Sequence, residues 1–589
     1  MPRLVARQCG ILRGAQAAIG TPWPSQRPAA LSVVARPRSY ETRRRTVDHA
    51  PTRKHKKIRP LNSAIIIPSS VAHTQPADII NHITPVSHEN VHRDTFCVFL
   101  VTPSFASWLV EDDTFVARAI QRAYSNSATT PSERISVHAL CAVVDSLPAG
   151  RSIRIGQKLD DVVLQRCVEP PVGETGFEGV AYATLPANSS IPSTSPRSSE
   201  KGAIDFVFAG HTREMHVYRD TWRLPLATTV FQTGSPTTML LSKWDLESGR
   251  GEPTLESKTD ISHHAISATP TFDSSESTLS ALGIPLLPLT LPRKVDGCMG
   301  NIIRRVTGEN NESVSASSEL EKVVPEFYQA RQQPAQPTTA WALVIPRSMI
   351  KDTRAKTLAL LAKKLARSEK GGEITREQLW ERLWQGDPPA FNRLVANALA
   401  EGARLHRVLS GGGGWGKKAG LLSLDPVPVS EEVPIRMEDA TSAADGPGAF
   451  EDALTPVVQD GDAIQFFISP TSHSAGEANG YDELAKLKAL PKERTWGWEL
   501  GTIPSTMDSL PGGSWQHTEA KSEDPAVFKH SFGALSEKGM TVTRHVRVGL
   551  NDTDTLATTT VDVPYTRLWY VELEDEHHSP EDVGEPVAA

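Results

Sequence analysis

The chain is expected to be an α/β protein of several parts, with mixed or parallel sheets, a helical insertion and long disordered loops. Three observations carry that expectation. A strand, a helix and a second strand follow one another between Thr95 and Asp145, the order of a βαβ unit with a parallel pair. Residues 351–403 change abruptly to strong helix formers. Stretches rich in Ser, Pro and Thr separate the apolar runs. At 589 residues the chain exceeds one ordinary core, and about 150 residues per domain suggests two to four.

The first 60 residues stand apart by charge. They carry 14 Lys and Arg against only Glu41 and Asp48, a net +12, so the rest of the chain holds −19 of the overall −7. Within residues 1–40, Leu4, Ile11, Ala15 and Ala18 fall on one helical side, with Arg3 and Arg7 off it. No apolar block of a secretory signal is present. This is the basic, acid-free, amphipathic composition of a mitochondrial transit peptide, and Arg38-Ser39-Tyr40 suits processing by a matrix protease. A basic tail or a nuclear-type cluster at Arg43-Arg44-Arg45 is the alternative. The acidic body argues against a protein that coats nucleic acid non-specifically. No apolar run approaches the roughly 18 residues of a membrane span, so no integral membrane association is expected.

Residues 61–92 read as a loose lead-in, where His82, His88 and His92 fit no zinc spacing. An N-terminal α/β part is expected over 93–346. Phe96 to Val101 is a buried strand ended by Thr102-Pro103, Phe115 to Tyr124 a helix, and Ile135 to Val144 the second strand. Gly179 to Thr184, Ile204 to Phe208, Met239 to Ser242 and Trp341 to Ile345 are further strand candidates. Residues 186–202 and 249–283 look too polar to pack, and His263-His264 reads as loop sequence. Asn301 to Val306 suggests the start of a short helix.

In the block 351–425, Leu358, Leu361 and Leu365 share one helical face. Thr375 and Gln378 form a capping box before Leu379, Trp380, Leu383 and Trp384, and a third helix carries Phe391, Leu394, Val395, Ala398 and Leu399. A proline- and acid-rich linker covers 426–458. A C-terminal α/β part is expected over 459–575, with strands at Ala463 to Ser469, Thr541 to Leu550 and Leu568 to Leu573 and a helix at Tyr481 to Leu490. An acidic tail, 576–589, follows.

Ser410 to Lys418 is the most conspicuous local feature. Gly411 to Lys417 satisfies GxxxxGK, and Gly411, Gly413 and Gly416 satisfy GxGxxG. A phosphate loop needs Ser or Thr after its lysine, where Lys418 stands, and a helix behind it, where Pro426 intervenes. Nucleotide hydrolysis is therefore not favoured, although Gly411, Gly413, Gly416, Lys417 and Lys418 remain the candidate ligand or phosphate contacts. Three helices followed by two short strands match the order of a winged helix. On that reading Arg393, Asn397, Arg404 and Arg407 would face mitochondrial RNA or DNA, with Lys417 and Lys418 on phosphate. A packed helical subdomain with a glycine turn is the plainer alternative. Cys298, between glycines before the expected helix, is a candidate reactive thiol. The five cysteines form no CxxC pair, and no HExxH, GxSxG or paired-carboxylate pattern marks an enzyme. Neither cofactor nor metal is expected.

FCVFLVTPSF (96–105), ISVHALCAVVD (135–145) and GFEGVAYATLP (176–186) resemble the opening of a FIST sensory domain. GDAIQFFIS (461–469) and FGALSEKGM (532–540) resemble that family's C-terminal stretches. The resemblance implies an α/β fold in two parts that binds a small ligand in signalling, with 351–424 as an insertion. It extends to no ligand-contacting residue, because Ala142 to Ser146 stands where the family has a turn rich in Cys, Ser and Gly. With its leader, the chain also has the look of fungal mitochondrial proteins. The sequence therefore supports a non-catalytic binder of a small ligand or protein partner in the mitochondrial matrix. The alternative is an RNA-, DNA- or ribosome-associated factor acting through 351–424.

Overall fold

The strand Asp94–Val101, the helix Thr114–Ala123 and the strand Arg134–Val143 form a βαβ unit, with Asp94 to Val101 parallel to Ser136 to Val143. This computed structural model describes residues 62–87, 91–111, 113–125, 134–149, 153–155, 164–166, 175–192, 202–211, 217–247, 252–268, 278–308, 311–336, 338–365, 375–386, 393–411, 420–426, 457–469, 495–505, 524–547 and 553–573. The chain divides into two units at Lys56 and Lys57, and all these residues belong to the second. The leader, the processing site, His88, the helix expected at Tyr481 to Leu490 and the acidic tail lie outside the described residues, as does the linker except for Pro426, Val457 and Val458.

The βαβ pair sits inside a seven-stranded sheet, in the order Thr254–Asp260, Met239–Glu247, Arg134–Val143, Asp94–Val101, Val180–Pro186, Asn62–Ile67 and Ala526–Lys529. Every other pairing in it is antiparallel. Burial on both faces explains the unbroken apolar run Phe96 to Val101. Cys97, Phe99 and Val101 share a core with Phe115, Val116, Ala119 and Ile120 of the helix. Phe96, Val98 and Leu100 pack with Ile204, Phe206, Phe208, Trp222 and Leu224 of a second, six-stranded sheet.

That second sheet runs Thr553–Val561, Met540–Arg547, Val217–Pro225, Ala203–His211, His263–Ser267, Ser190–Ile191. Both sheets therefore mix strands from the expected N-terminal and C-terminal parts. A four-stranded sheet joins Thr278–Gly283, Arg567–Leu573, Thr495–Thr502 and Ser531–Ser536, the last two parallel.

Three helices, Ile350–Leu365, Arg376–Gln385 and Arg393–Ala400, precede the strands Arg404–Gly411 and Leu422–Leu424. The capping box forms: Thr375 N donates to Gln378 Oε1 at 3.0 Å, and Gln378 N donates to Thr375 Oγ1 at 3.4 Å. The two strands are not a free wing. Arg404–Gly411 pairs on its other side with Ala340–Ile345, and Leu422–Leu424 with Ile302–Thr307. Ala340–Ile345 then pairs with Ala463–Ile468, which pairs with Arg293–Met299 and so back to Ile302–Thr307. Six strands thus close on themselves among the described residues.

Several expectations are corrected. Asn301 to Val306 is a strand, Ile302–Thr307, because Ile302, Ile303, Val306 and Thr307 are β-branched and stiff at χ1. The supposed lead-in contains Asn62–Ile67, an inner strand whose Ile65, Ile66 and Ile67 are buried. Residues 249–283 include three strands. Thr254–Asp260 is exposed along its whole length and is held only as an edge, by its ladder to Met239–Glu247 and by ion pairs such as Lys258 Nζ to Asp113 at 2.7 Å. Such a strand needs no apolar face, so hydropathy does not reveal it.

Candidate functional site

Gly411 ends the strand Arg404–Gly411 opposite Leu422. Gly413, Gly416, Lys417 and Lys418 lie outside the described residues. Of the expected nucleic-acid contacts, Arg393 opens the helix Arg393–Ala400 and Asn397 is exposed on it. Arg404 instead turns inward: its Nη2 donates to the carbonyl of Val457 at 2.7 Å, and burial lowers its pKa. Arg407 donates to Thr339 Oγ1 at 3.4 Å.

Cys298 lies in the strand Arg293–Met299, so there is no helix N-terminus to favour a thiolate. Its Sγ donates to Val458 O at 3.2 Å and to Asp460 Oδ1 at 3.4 Å. Burial, then Asp460 and Asp462, push the thiol up to about 12. The helix expected behind this thiol is the strand Ile302–Thr307. His406 is buried and donates through Nδ1 to Asp425 O, 2.8 Å away; burial holds it neutral, its pKa pushed down to about 4.

What the structure does bring together are turns from four distant stretches, at the carboxyl ends of Asp94–Val101, Arg134–Val143 and Ser531–Ser536. Thr102 follows the first strand; its N–H donates to Gly179 O at 3.2 Å, and Gly179 N donates to Thr102 Oγ1 at 2.9 Å. Gly179 has to be glycine, since a Cβ there would sit 2.3 Å from the carbonyl oxygen of Ile66. Gly176 is left-handed (φ +84°), and a Cβ on it would meet Ser146 Oγ at 2.3 Å. Leu147 and Phe177 exchange backbone hydrogen bonds of 2.9 and 2.8 Å, and Leu535 N donates to Ser146 O at 2.9 Å. Asp145 Oδ2 accepts from Glu537 N at 2.9 Å, across 392 residues of sequence. Lys538 Nζ donates to Leu226 O at 2.7 Å.

The electrostatics of this junction are set by burial. Desolvation raises the Asp145 carboxyl to about 6, and the Glu537 charge adds to the rise; the Glu537 N–H, Lys538 and Ser536 act against it. Glu178 Oε2 is buried and has no hydrogen-bond partner among the described residues. Asp145 therefore changes charge near neutral pH, and Glu178 offers an unused acceptor. The segments 96–105, 135–145, 176–186 and 532–540 are legible in the sequence as strands, and nothing local marks their turns as a meeting place.

A second polar cluster lies on the strand His263–Ser267. Successive strand residues point to opposite faces. On one face His263 Nε2 is 2.7 Å from Asp205 Oδ2, while Arg223 donates to Asp205 through Nε at 2.9 Å and Nη2 at 3.2 Å. These bonds hold the Asp205 pKa down although burial alone would raise it. On the other face His264 Nε2 is 3.0 Å from Ser190 Oγ, and its ring lies 5.8 Å from that of Phe96. Burial and the neighbouring His263 push His264 down to about 4. The expectation of loop histidines is thereby corrected. The alternation in His263-His264-Ala265-Ile266-Ser267 was the available signal, and its polarity masked it.

Among the described residues, no three His, Cys, Asp or Glu side chains gather as metal ligands, and no helix is long and apolar enough to cross a membrane. Neither a protein-family model, a curated protein nor a solved structure matches the chain.

Proposed function

We propose that the protein is a mitochondrial binder of a small polar ligand, which its ligand site holds without chemical change, of the sensory kind implied by its FIST-like segments. The ligand is taken at the junction of Thr102, Asp145, Glu178 and Lys538. In open α/β sheets, ligands bind outside the carboxyl ends of parallel strands, and two such ends meet here. The observation that carries the reading is the buried, unpartnered Oε2 of Glu178, since a buried acceptor without a donor costs about 1–3 kcal/mol. A ligand with ammonium or hydroxyl donors recovers that cost.

The test is thermal unfolding of the full chain against a panel of amines and polyols, because a ligand selective for the native state raises Tm. A concentration-dependent shift is expected, lost when Asp145→Asn and Glu178→Gln are combined. A silent panel, or a shift that survives both substitutions, refutes the site. The organelle is supported by the +12 leader. Residues 1–60 fused to a fluorescent reporter should enter mitochondria, and a diffuse or nuclear signal refutes that part.

A further inference from the structure

The Ser190–His264 pair stands apart from the proposed ligand site. Ser190 lies opposite Ile266 in the antiparallel pairing of Ser190–Ile191 with His263–Ser267, so His264 is its diagonal neighbour on the same sheet face. That register, and not a chance meeting of loops, sets the 3.0 Å approach of Oγ to Nε2. The imidazole is buried at 1% exposure and backed by Phe96, which fixes the ring. Ser190 is on the edge strand of its sheet and only half-buried. A fixed imidazole within hydrogen-bond reach of a serine hydroxyl at a sheet edge is the nucleophile–base pair of covalent catalysis.

We infer that Ser190 is a nucleophile and His264 its general base, and that together they accept acyl groups from small activated carboxylic esters. Ser190 Oγ bonds to the ester carbonyl carbon as its proton passes to His264 Nε2. The carbon–oxygen bond to the alcohol then breaks, and the alcohol leaves with that proton. Water attacks the acyl-serine and gives a proton to His264. The Oγ–acyl bond breaks, the proton returns to Oγ, and a carboxylic acid departs. The titratable or charged groups near the ring are His263 and, bonded to it, Asp205 with Arg223. They lie on the opposite face of the strand.

The test is labelling of the full chain with a fluorophosphonate, read by mass spectrometry of the peptide containing Ser190. An adduct on Ser190 is expected, absent in Ser190→Ala. Loss of a general base costs about 10²–10⁴ in rate, so His264→Gln should label at least about 100-fold more slowly. The wild-type pH profile needs no variant and guards against a misfolded one. With the base neutral above about 4, the rate should be flat from pH 6 to 8. An unassisted serine follows hydroxide, rising about tenfold per pH unit. No adduct, a rate still climbing across pH 6–8, or a folded His264→Gln that labels at the wild-type rate overturns the inference.

Discussion

Replacing Asp145 by Asn tests the junction through stability. In the folded chain the carboxyl titrates near 6, against 3.8 for an unperturbed aspartate. At about 1.36 kcal/mol per pKa unit, that difference corresponds to roughly 3 kcal/mol. The sign follows from proton counting. Below pH 3.8 the group is protonated in both states and costs nothing. Between 3.8 and 6 the unfolded chain ionises first, so stability falls as pH rises, and above 6 the loss is constant. Asparagine keeps an oxygen to accept from Glu537 N but cannot ionise. Asp145→Asn is therefore expected to lose that component of the decline and to exceed wild type at pH 7.5 by as much as about 3 kcal/mol. Urea unfolding of both proteins at half-unit steps from pH 4 to 8 measures this. Parallel stability curves would show that burial does not set the Asp145 charge, and the account of the junction would fall. A ligand ammonium at the same site should narrow the gap, because it favours the ionised carboxyl.

Two further outcomes follow from contacts outside that junction. Thr559 Oγ1 accepts from Leu405 N at 2.7 Å and donates to Leu405 O at 3.1 Å, joining the six-stranded sheet to the closed ring. Thr559→Val keeps the shape but strands a buried donor and acceptor, so a loss of about 2–4 kcal/mol is expected in urea unfolding; a change under about 0.5 kcal/mol would mean water replaces the hydroxyl. With its thiol near 12, Cys298 should resist iodoacetamide at pH 7.5 in the native protein and react once the chain is unfolded in urea. Native alkylation at the rate of a free thiol would contradict the burial and the pairing with Asp460.

Local patterning revealed elements whose burial is expressed within a few residues. Phe96 to Val101 announces a strand covered on both faces, and the Leu and Trp spacing of 376–399 announces helices with an apolar side, whereas Ile350–Leu365 buries Thr353, Thr357 and Leu361 and leaves Leu358 43% exposed. Thr254–Asp260 announces nothing, because an exposed edge strand is specified by its ladder and not by a buried face. The same limit applies to the polar clusters. His263 acquires its role from Asp205, 58 residues away, and Asp145 from a backbone N–H 392 residues away. No local period encodes such partners. Segments 96–105, 135–145, 176–186 and 532–540 were legible as strands leading into turns, and their meeting at one place was not.

The strand Ala526–Lys529 flanks Asn62–Ile67, and Met540–Arg547 flanks Val217–Pro225. A polypeptide emerging amino end first must hold both early partners open while some three hundred or more residues are still to come, and unpaired edges of this kind invite aggregation. Maturation is thus governed by the last segment to arrive, and a chain halted before residue 526 is left with an apolar isoleucine strand bare along one side.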